Sequence, residues 1–455
     1  MARIDLPLGL ESTENLPRSK RNLQNLWNSN GKIIQRPGIN SLTTTGKVAR
    51  GQFEWNDSLY QVVSQSLIKI TNTSTGAHST NGTAIAGSGN VETDVGFNTA
   101  VIVDPGGQLY TLDTSDVVTD ITANSNFVSC NDVAFINGRF VYIPANGDPA
   151  FFSDVGAAGT VQAASFFDAE ELPDKNNSAF NLNNTLYIGG TDSFELFRDT
   201  GATPNPFIRI TGSRIRFGYI GGLLEYADTF LFIGREIRQD RGIYAISQSG
   251  AQKVSNQAID TILAGYTIAE LKNAVSGRIK WRGDDIATFT LGRDSFGFFN
   301  GNWFVLETVI SEIPRPWAAG FITEFEGDYF SASSGNIGKF AKTNTDYSDT
   351  FTRLIDFGFD HPDSKKFTCQ NIELGISQGF NTSATTGSVA IFMSRNNVTY
   401  GPPVFRNVGV VGEYDKKLIW NPPGGLGNYD RFMGVRLYSR QDIDMSSDYI
   451  DVKLR

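Results

Sequence analysis

The side chains that most often carry chemistry are scarce in this sequence and badly spaced for it. There are two histidines, His78 and His361, and two cysteines, Cys130 and Cys369. No GxSxG elbow and no HExxH run occurs, so neither histidine sits in a nucleophile or zinc motif. With only two histidines, a metal site built on Cys and His is not expected. Two cysteines so far apart exclude a disulfide framework, and both read as small buried hydrophobes. That leaves carboxylates. A glycosidase needs a pair of them flanking the scissile bond, and 48 acidic residues guarantee chance pairs. Asp284-Asp285 follows Gly283 in an expected hairpin turn, where Asp serves its own turn hydrogen bonds. Asp168, Glu170, Glu171 and Asp174 make an acidic loop without EF-hand ligand spacing, which reads as solvated. Gly87, Gly89 and Gly96 lie in GSGNVETDVG, with no Lys-Ser/Thr to complete a phosphate cradle. Ser153-Asp154-Val155-Gly156 is a fragment of a sialidase Asp-box without its tryptophan. The sequence therefore offers no catalytic residue, no cofactor site and no metal site, and points away from an enzyme.

What must be positioned is instead a series of sheets. In Asn131 to Gly156, apolar runs VAFI, FVYI and FF are cut by Asn137-Gly138 and Asn146-Gly147-Asp148. Asn-Gly is the strongest short hairpin signal, because its two-residue turn needs positive φ at both centres. The same pattern recurs at 51–71, 99–114, 178–200, 222–250, 278–308 and 318–343. The first turns come roughly every 45 residues, the period of a four-stranded propeller blade. The scatter is too wide for WD40 or kelch repeats. The expected fold is all-β: a degenerate β-propeller of about six or seven blades over residues 51–345. Stacked meanders in a large β-sandwich are the other reading of the same runs.

A helical insertion interrupts this near 258–275. Ile259, Ile262, Leu263 and Tyr266 keep helical spacing, and Thr267-Ile268-Ala269-Glu270 is a capping box. Two short helices are expected, the second from Ile268 to Val275. Beyond about Thr350 longer alternating strands appear, such as KFTCQNIELGI and RFMGVRLYS, so residues 346–455 read as an antiparallel β-sandwich. Residues 1–50 read as an extended arm carrying Trp27, either a strap or an irregular first propeller strand. The opening MARIDLPLGLESTENLP lacks the apolar run of a signal peptide, and no stretch approaches the ~20 apolar residues of a membrane span. Synthesis in a cytosol, without export by that route, is the expectation.

Charge is unevenly distributed. Residues 1–50 hold eight Lys or Arg against three Asp or Glu; residues 51–174 hold two against fifteen. So acidic a surface repels polyanions. Its plainest alternative role is solubility.

The order of features resembles a known family. Gly31, then Arg36-Pro37-Gly38-Ile39 and Arg50-Gly51, resemble the opening pattern of the tail-hub or nozzle proteins of short-tailed bacteriophages, the packaged-DNA stabilisation proteins. Ala86 to Val91 with Gln108-Leu109-Tyr110, the helical IDTILAGYTIAE from Ile259, Asn397 to Gly401, Tyr414 to Trp420 and Gly434 to Leu437 are similar to later segments. An Asn421-Pro422-Pro423-Gly424-Gly425 loop stands where relatives carry basic residues. The resemblance implies a structural virion protein, in a hexameric ring below the portal–adaptor. It would bind a tail needle or plug and carry tailspikes or fibres, retaining packaged DNA and conducting it at ejection. On this reading Asp104, Asp113, Asp116, Asp168, Glu170 and Glu171 are candidates for a DNA-repelling lumen. Arg18, Lys20, Arg21 and Trp27 are candidates for contact with the adaptor or a neighbouring subunit. The competing reading is a carbohydrate-binding or glycoside-cleaving propeller serving as a receptor-binding tail protein. A secreted scaffold propeller is a third, disfavoured by the opening residues.

Overall fold

A computed structural model describes residues 2–3, 9–10, 22–169, 174–236, 241–247, 250–360, 366–376, 387–396, 398–410, 412–414, 416–422, 428–430, 432–441 and 443–454. Among them, seven four-stranded antiparallel units follow one another, here blades 1 to 7. Their first strands are Ala49–Trp55, Glu92–Val95, Cys130–Ile136, Asn176–Leu182, Phe217–Tyr226, Val275–Trp281 and Phe321–Phe325. Each first strand lies against that of the next blade, and that of blade 7 lies against that of blade 1, so the ring closes. At the seam Gln52 Nε2 donates to the Phe330 carbonyl at 3.1 Å, and Thr323 Oγ1 to the Gln52 carbonyl at 3.3 Å.

The sequence explains why these runs become blades. Asn137 and Gly138 take φ of 48° and 82°, as the hairpin signal requires, and Asn56-Asp57 and Asn183-Asn184 repeat it with φ of 48°, 51°, 50° and 60°. A strand in the middle of a propeller is buried on both faces, so its run is continuously apolar. In blade 3, Phe140, Tyr142 and Phe151 pack toward Val101, Val103 and Leu109 of blade 2. The alternate residues Val141, Ile143 and Phe152 pack toward Leu186, Ile188 and Phe207 of blade 4. One expected turn is displaced by a step. In blade 6 the turn is Arg282-Gly283, and Asp284 already pairs with Trp281 in the strand Asp284–Thr290.

The fourth strand of blade 7 comes from the other end of the chain. Gly38–Thr44 pairs antiparallel with Asn336–Ala341 and closes the ring by a non-local sheet. The stretch before it is strand-paired as well. Asn22–Gln24 pairs with Arg353–Asp360, and Gln24 is the parallel partner of Val305 in the fourth strand of blade 6. One hydrogen-bonded sheet therefore runs from blade 6 through Asn22–Gln24 into Arg353–Asp360, Phe432–Ser439, Gly387–Ser394 and Val404–Gly409. The hairpin Leu26–Ser29/Lys32–Gln35 joins Ser447–Leu454 and Phe367–Ile376 in the facing sheet. Leu23, Ile33, Ile355, Ile372, Val435 and Val452 fill the space between the two sheets. So the arm, left open between a strap and an irregular propeller strand, contributes both to the sandwich and to blade 7.

The helical insertion joins blades 5 and 6. Helix α1 is Gln257–Ala264 and α2 is Ile268–Lys272, with the capping box of Thr267 and Glu270 formed. The second helix ends sooner than its spacing predicts. Asn273 caps it, and β-branched Val275 pairs with Thr290 as blade 6 begins. Ile259, Leu263 and Leu271 bury against Ile243, Phe289 and Trp303. Asn256 caps α1 by accepting from Ile259 N at 3.1 Å and donates to the Leu10 carbonyl at 2.7 Å. Asn256→Ala is expected to lower stability by about 1–2 kcal/mol in urea unfolding, the cost of a lost cap and tether.

Candidate functional site

Two buried arginines lock the ring, and both stand in the sequence stretch singled out above as RPGI…RG. The side chain of Arg36 is 1% exposed and that of Asp346 is 0% exposed. Their contact is bidentate, Nη1 to Oδ1 at 2.8 Å and Nη2 to Oδ2 at 2.6 Å. Arg36 also donates to Asn25 Oδ1 at 2.7 Å and to the Glu307 carbonyl at 3.0 Å, while Phe351 lies 3.7 Å from its Cζ. Thr308 Oγ1 donates to Asp346 at 2.6 Å. This one guanidinium ties together the sandwich entry, blade 6 and the lead into Gly38–Thr44. Arg50 does the same for blades 1 and 2. It donates to the carbonyls of Ser64, Ile85, Ala86 and Gly89 and to Asp104 Oδ1 at 2.7 Å. Burial pushes the Arg50 guanidinium down and the Asp104 carboxyl up, against their mutual attraction. The four carbonyls offset that desolvation.

Inside the ring, carboxylates join neighbouring first strands. Asp94 of blade 2 accepts from Phe135 N of blade 3 at 2.6 Å, and Asp132 of blade 3 accepts from Ala179 N of blade 4 at 2.9 Å. Asn181 of blade 4 donates back to the Phe135 carbonyl at 3.2 Å. Glu92, Asp104, Asp132, Tyr219 and Lys272 line a polar cavity of about 490 Å³ at this mouth of the channel. Glu92 is exposed to solvent within this cavity, yet protein surrounds it densely enough to desolvate its carboxylate. Desolvation raises its pKa to about 7 and that of Asp94 to about 6. Asp132 is pushed well above the usual carboxylate range, by burial first and then by Glu92. Sequence reading passed over Glu92, Asp94 and Asp132. The signal was an acidic residue inside an otherwise apolar first strand, as in ETDV and DVAF. Among the described residues no group of three or more His, Cys, Asp or Glu is placed to hold a metal ion.

The residues expected to line a lumen do not form one stripe. Asp104 is bound to Arg50. Thr99–Val103 and Leu109–Asp113 are antiparallel, so Asp104 and Asp113 lie at opposite ends of blade 2. Asp113 accepts from Ser115 N and Val117 N within its own turn. Asp116 accepts from Tyr60 Oη at 2.5 Å and Lys69 Nζ at 2.8 Å. Asp168 is exposed, and its carbonyl accepts from Arg209 at 3.3 Å. Glu170 and Glu171 lie outside the described residues, as do Arg18, Lys20 and Arg21. Trp27, expected at a contact with another protein, is buried within the chain, and its Nε1 donates to Asp284 Oδ2 at 2.6 Å. A flat, aromatic strand residue is as well suited to a core as to an interface, and here the sandwich uses it. Asp285 holds Arg278 through both carboxylate oxygens, at 2.8 and 2.5 Å. Asp284 and Asp285 are thus structural carboxylates in a strand.

Residues 14–345 match the family model described as bacteriophage P22 Gp10, β-propeller. The chain belongs to that family. A curated relative, the tail hub protein gp10 of Salmonella phage P22, is 22% identical over 436 residues, spanning 90% of this chain and 89% of the relative. Family membership and the seven closed blades agree on the propeller. Among solved structures, the extracellular domain of a two-component system from B. thetaiotaomicron has a TM-score of 0.45 at 10% identity, covering 75% of this chain and 45% of that one. A virginiamycin B lyase of Staphylococcus aureus has a TM-score of 0.44 at 10% identity, covering 67% of this chain and 98% of that one. Neither likeness is close enough to bear on function. No helix among the described residues is long and apolar enough to cross a membrane.

Proposed function

We propose that this family member is a structural virion protein, the hub of a short phage tail. Copies form a hexameric ring below the portal–adaptor, hold packaged DNA in, and conduct it out at ejection. A tail needle or plug closes the ring, and tailspikes or fibres attach to its flank. The observation that carries this reading is the extent of the alignment with the P22 tail hub, 90% of one chain and 89% of the other. Both the propeller and the sandwich that follows it fall within such an alignment. The buried and half-buried polar groups favour a mechanical part: Arg36, Arg50, Asp94 and Asp132 are each spent on joining one element to the next.

Incubating the full chain with purified portal–adaptor complex and imaging it by negative stain tests the assignment. A ring added below the adaptor is expected; absence of binding at micromolar concentration overturns it. The basic arm is assigned to the adaptor or a neighbour, so Arg18→Glu with Lys20→Glu and Arg21→Glu should weaken that binding. The acidic blades are assigned to the lumen, where repulsion lets DNA slide. Asp168→Lys is expected to slow genome ejection at low salt, with recovery in high salt, where screening removes the new attraction. Unchanged ejection kinetics at low salt remove this residue from the lumen.

One observation favours the carbohydrate reading: Glu92 and Asp132, both with raised proton affinity, share a polar cavity. Polysaccharide turnover that disappears in Glu92→Gln would establish it.

A further inference from the structure

The most exposed large apolar side chain described is Phe97, at 86%. It occupies the first turn of blade 2, where Val95 pairs with Ala100 and no Asn-Gly is present. Its ring stands edge-on to Phe135 at 5.8 Å. Phe97, Phe135, Phe140 and Val155 line an apolar groove of about 570 Å³ between blades 2 and 3. Val155 is itself 63% exposed. In antiparallel meanders the first-to-second and third-to-fourth connections lie at one end, so the groove shares its end of the ring with Asp57, Asp113 and Asp154. Residues 51–174 contain two cations, Lys69 and Arg139. Both are engaged, Lys69 by Asp116 and Arg139 by the Ser153 carbonyl and the face of Phe152. An occupant of this groove must therefore be apolar at its tip and positively charged around it.

The chain carries such a surface elsewhere. Val404–Gly409 is the last strand of the sheet that runs out from blade 6. Phe405 on this strand is exposed, as are Val398 and Tyr414 in the segments before and after it. Arg406 donates to the Phe405 and Ile419 carbonyls, Lys416 pairs with Glu413, and Lys417 is exposed, so three cations stand here against one described carboxylate. The positions of the two surfaces matter as much as their chemistry. The sandwich joins the ring at blades 6 and 7, through Gln24–Val305 and Asp346–Ile39. In a closed ring of seven, the far side is blades 2 and 3. The basic edge lies five strands beyond blade 6, at roughly 4.8 Å per strand. Groove and edge thus stand at opposite extremes of one molecule. Different patches at opposite extremes make a head-to-tail contact, which closes into a ring or runs on as a filament.

We propose that the groove between blades 2 and 3 is the socket of the subunit–subunit contact, filled by the Phe405 edge of the next copy. This rests on the ring reading above and specifies which surfaces build it. The test uses two single variants of the full chain, Phe97→Cys and Phe405→Cys, mixed under mild oxidant. Both sites are exposed, and the native Cys130 and Cys369 are buried and do not compete. The mixed disulfide dimer, resolved by mass, is expected at about tenfold the yield of either like pair, because a specific contact raises the effective concentration of one thiol near the other. It should exceed equally the pair Ile208→Cys with Phe405→Cys, which places a thiol on an exposed blade 4 position. Equal yields for all pairs overturn the proposed contact. Wild-type imaging on the portal–adaptor complex separates the two failures. A ring with equal cross-link yields removes this socket alone, and no ring removes the hub assignment with it.

Discussion

Asp346→Ala is expected to destabilise the protein by about 3–5 kcal/mol, because it leaves a guanidinium buried without its counter-charge. Arg36 cannot rotate into solvent: Phe351 covers one face, and Asn25 and the Glu307 carbonyl hold its other donors. The site lies two residues before the strand that closes blade 7, so the loss should appear as opening of the ring seam. Hydrogen exchange in Gly38–Thr44 and Asn336–Ala341 should then speed up before exchange in blade 3. The double variant Arg36→Met with Asp346→Leu should regain most of the loss, as apolar replacements of buried ion pairs often do. Urea midpoints of the two variants decide the matter. A single-site cost below about 1 kcal/mol is what a surface pair would give, and it would remove the pair from its anchoring role.

What the sequence displayed and what it concealed divide along one line, the distance over which the signal acts. Each blade announced itself through local chemistry. Asn137-Gly138 demands its turn, and flanking β-branched and aromatic residues demand two buried faces. The Thr267–Glu270 box displayed the start of α2 for the same reason. Its end was misjudged because helical spacing continues formally to Val275, while tertiary pairing with Thr290 claims that residue for a strand. Ring closure had no local signature at all. GINSLTT looks like any short edge strand, and its partner Asn336–Ala341 lies at the far end of the propeller. Arg36 and Asp346 are 310 positions apart, so nothing near RPGI shows that its arginine is buried. The channel carboxylates were hidden likewise. Glu92 and Asp132 are ordinary strand residues until blades 2, 3 and 4 stand side by side, burying Asp132 and crowding protein around Glu92.

That enclosure makes stability depend on pH in a direction opposite to common acid denaturation. In the unfolded chain Glu92, Asp94 and Asp132 ionise near the usual carboxylate values. In the fold Glu92 titrates at about 7 and Asp94 at about 6, and Asp132 is also raised. Between roughly pH 5 and pH 7 the native state therefore holds more protons than the unfolded state, and stability falls as pH rises. Tyr219, facing the same cavity, has its pKa raised by burial first and then by these carboxylates, and offers no charge against them in this window. Lys272 lines the same cavity but is paired with none of these carboxylates, and their proton affinities stay raised. Water in the channel screens the repulsion, so the gain on going from pH 7.5 to pH 5.5 is expected to be about 1–3 kcal/mol in urea unfolding. Glu92→Gln should flatten this slope and raise stability at pH 7.5, since it removes a charge without removing a bond to the backbone. Asp132→Asn should do less. It relieves the same repulsion but weakens the acceptor that holds Ala179 N across the gap to blade 4. A Glu92→Gln variant with the wild-type pH slope would show that the carboxylates are solvated independently, and that the channel does not couple them.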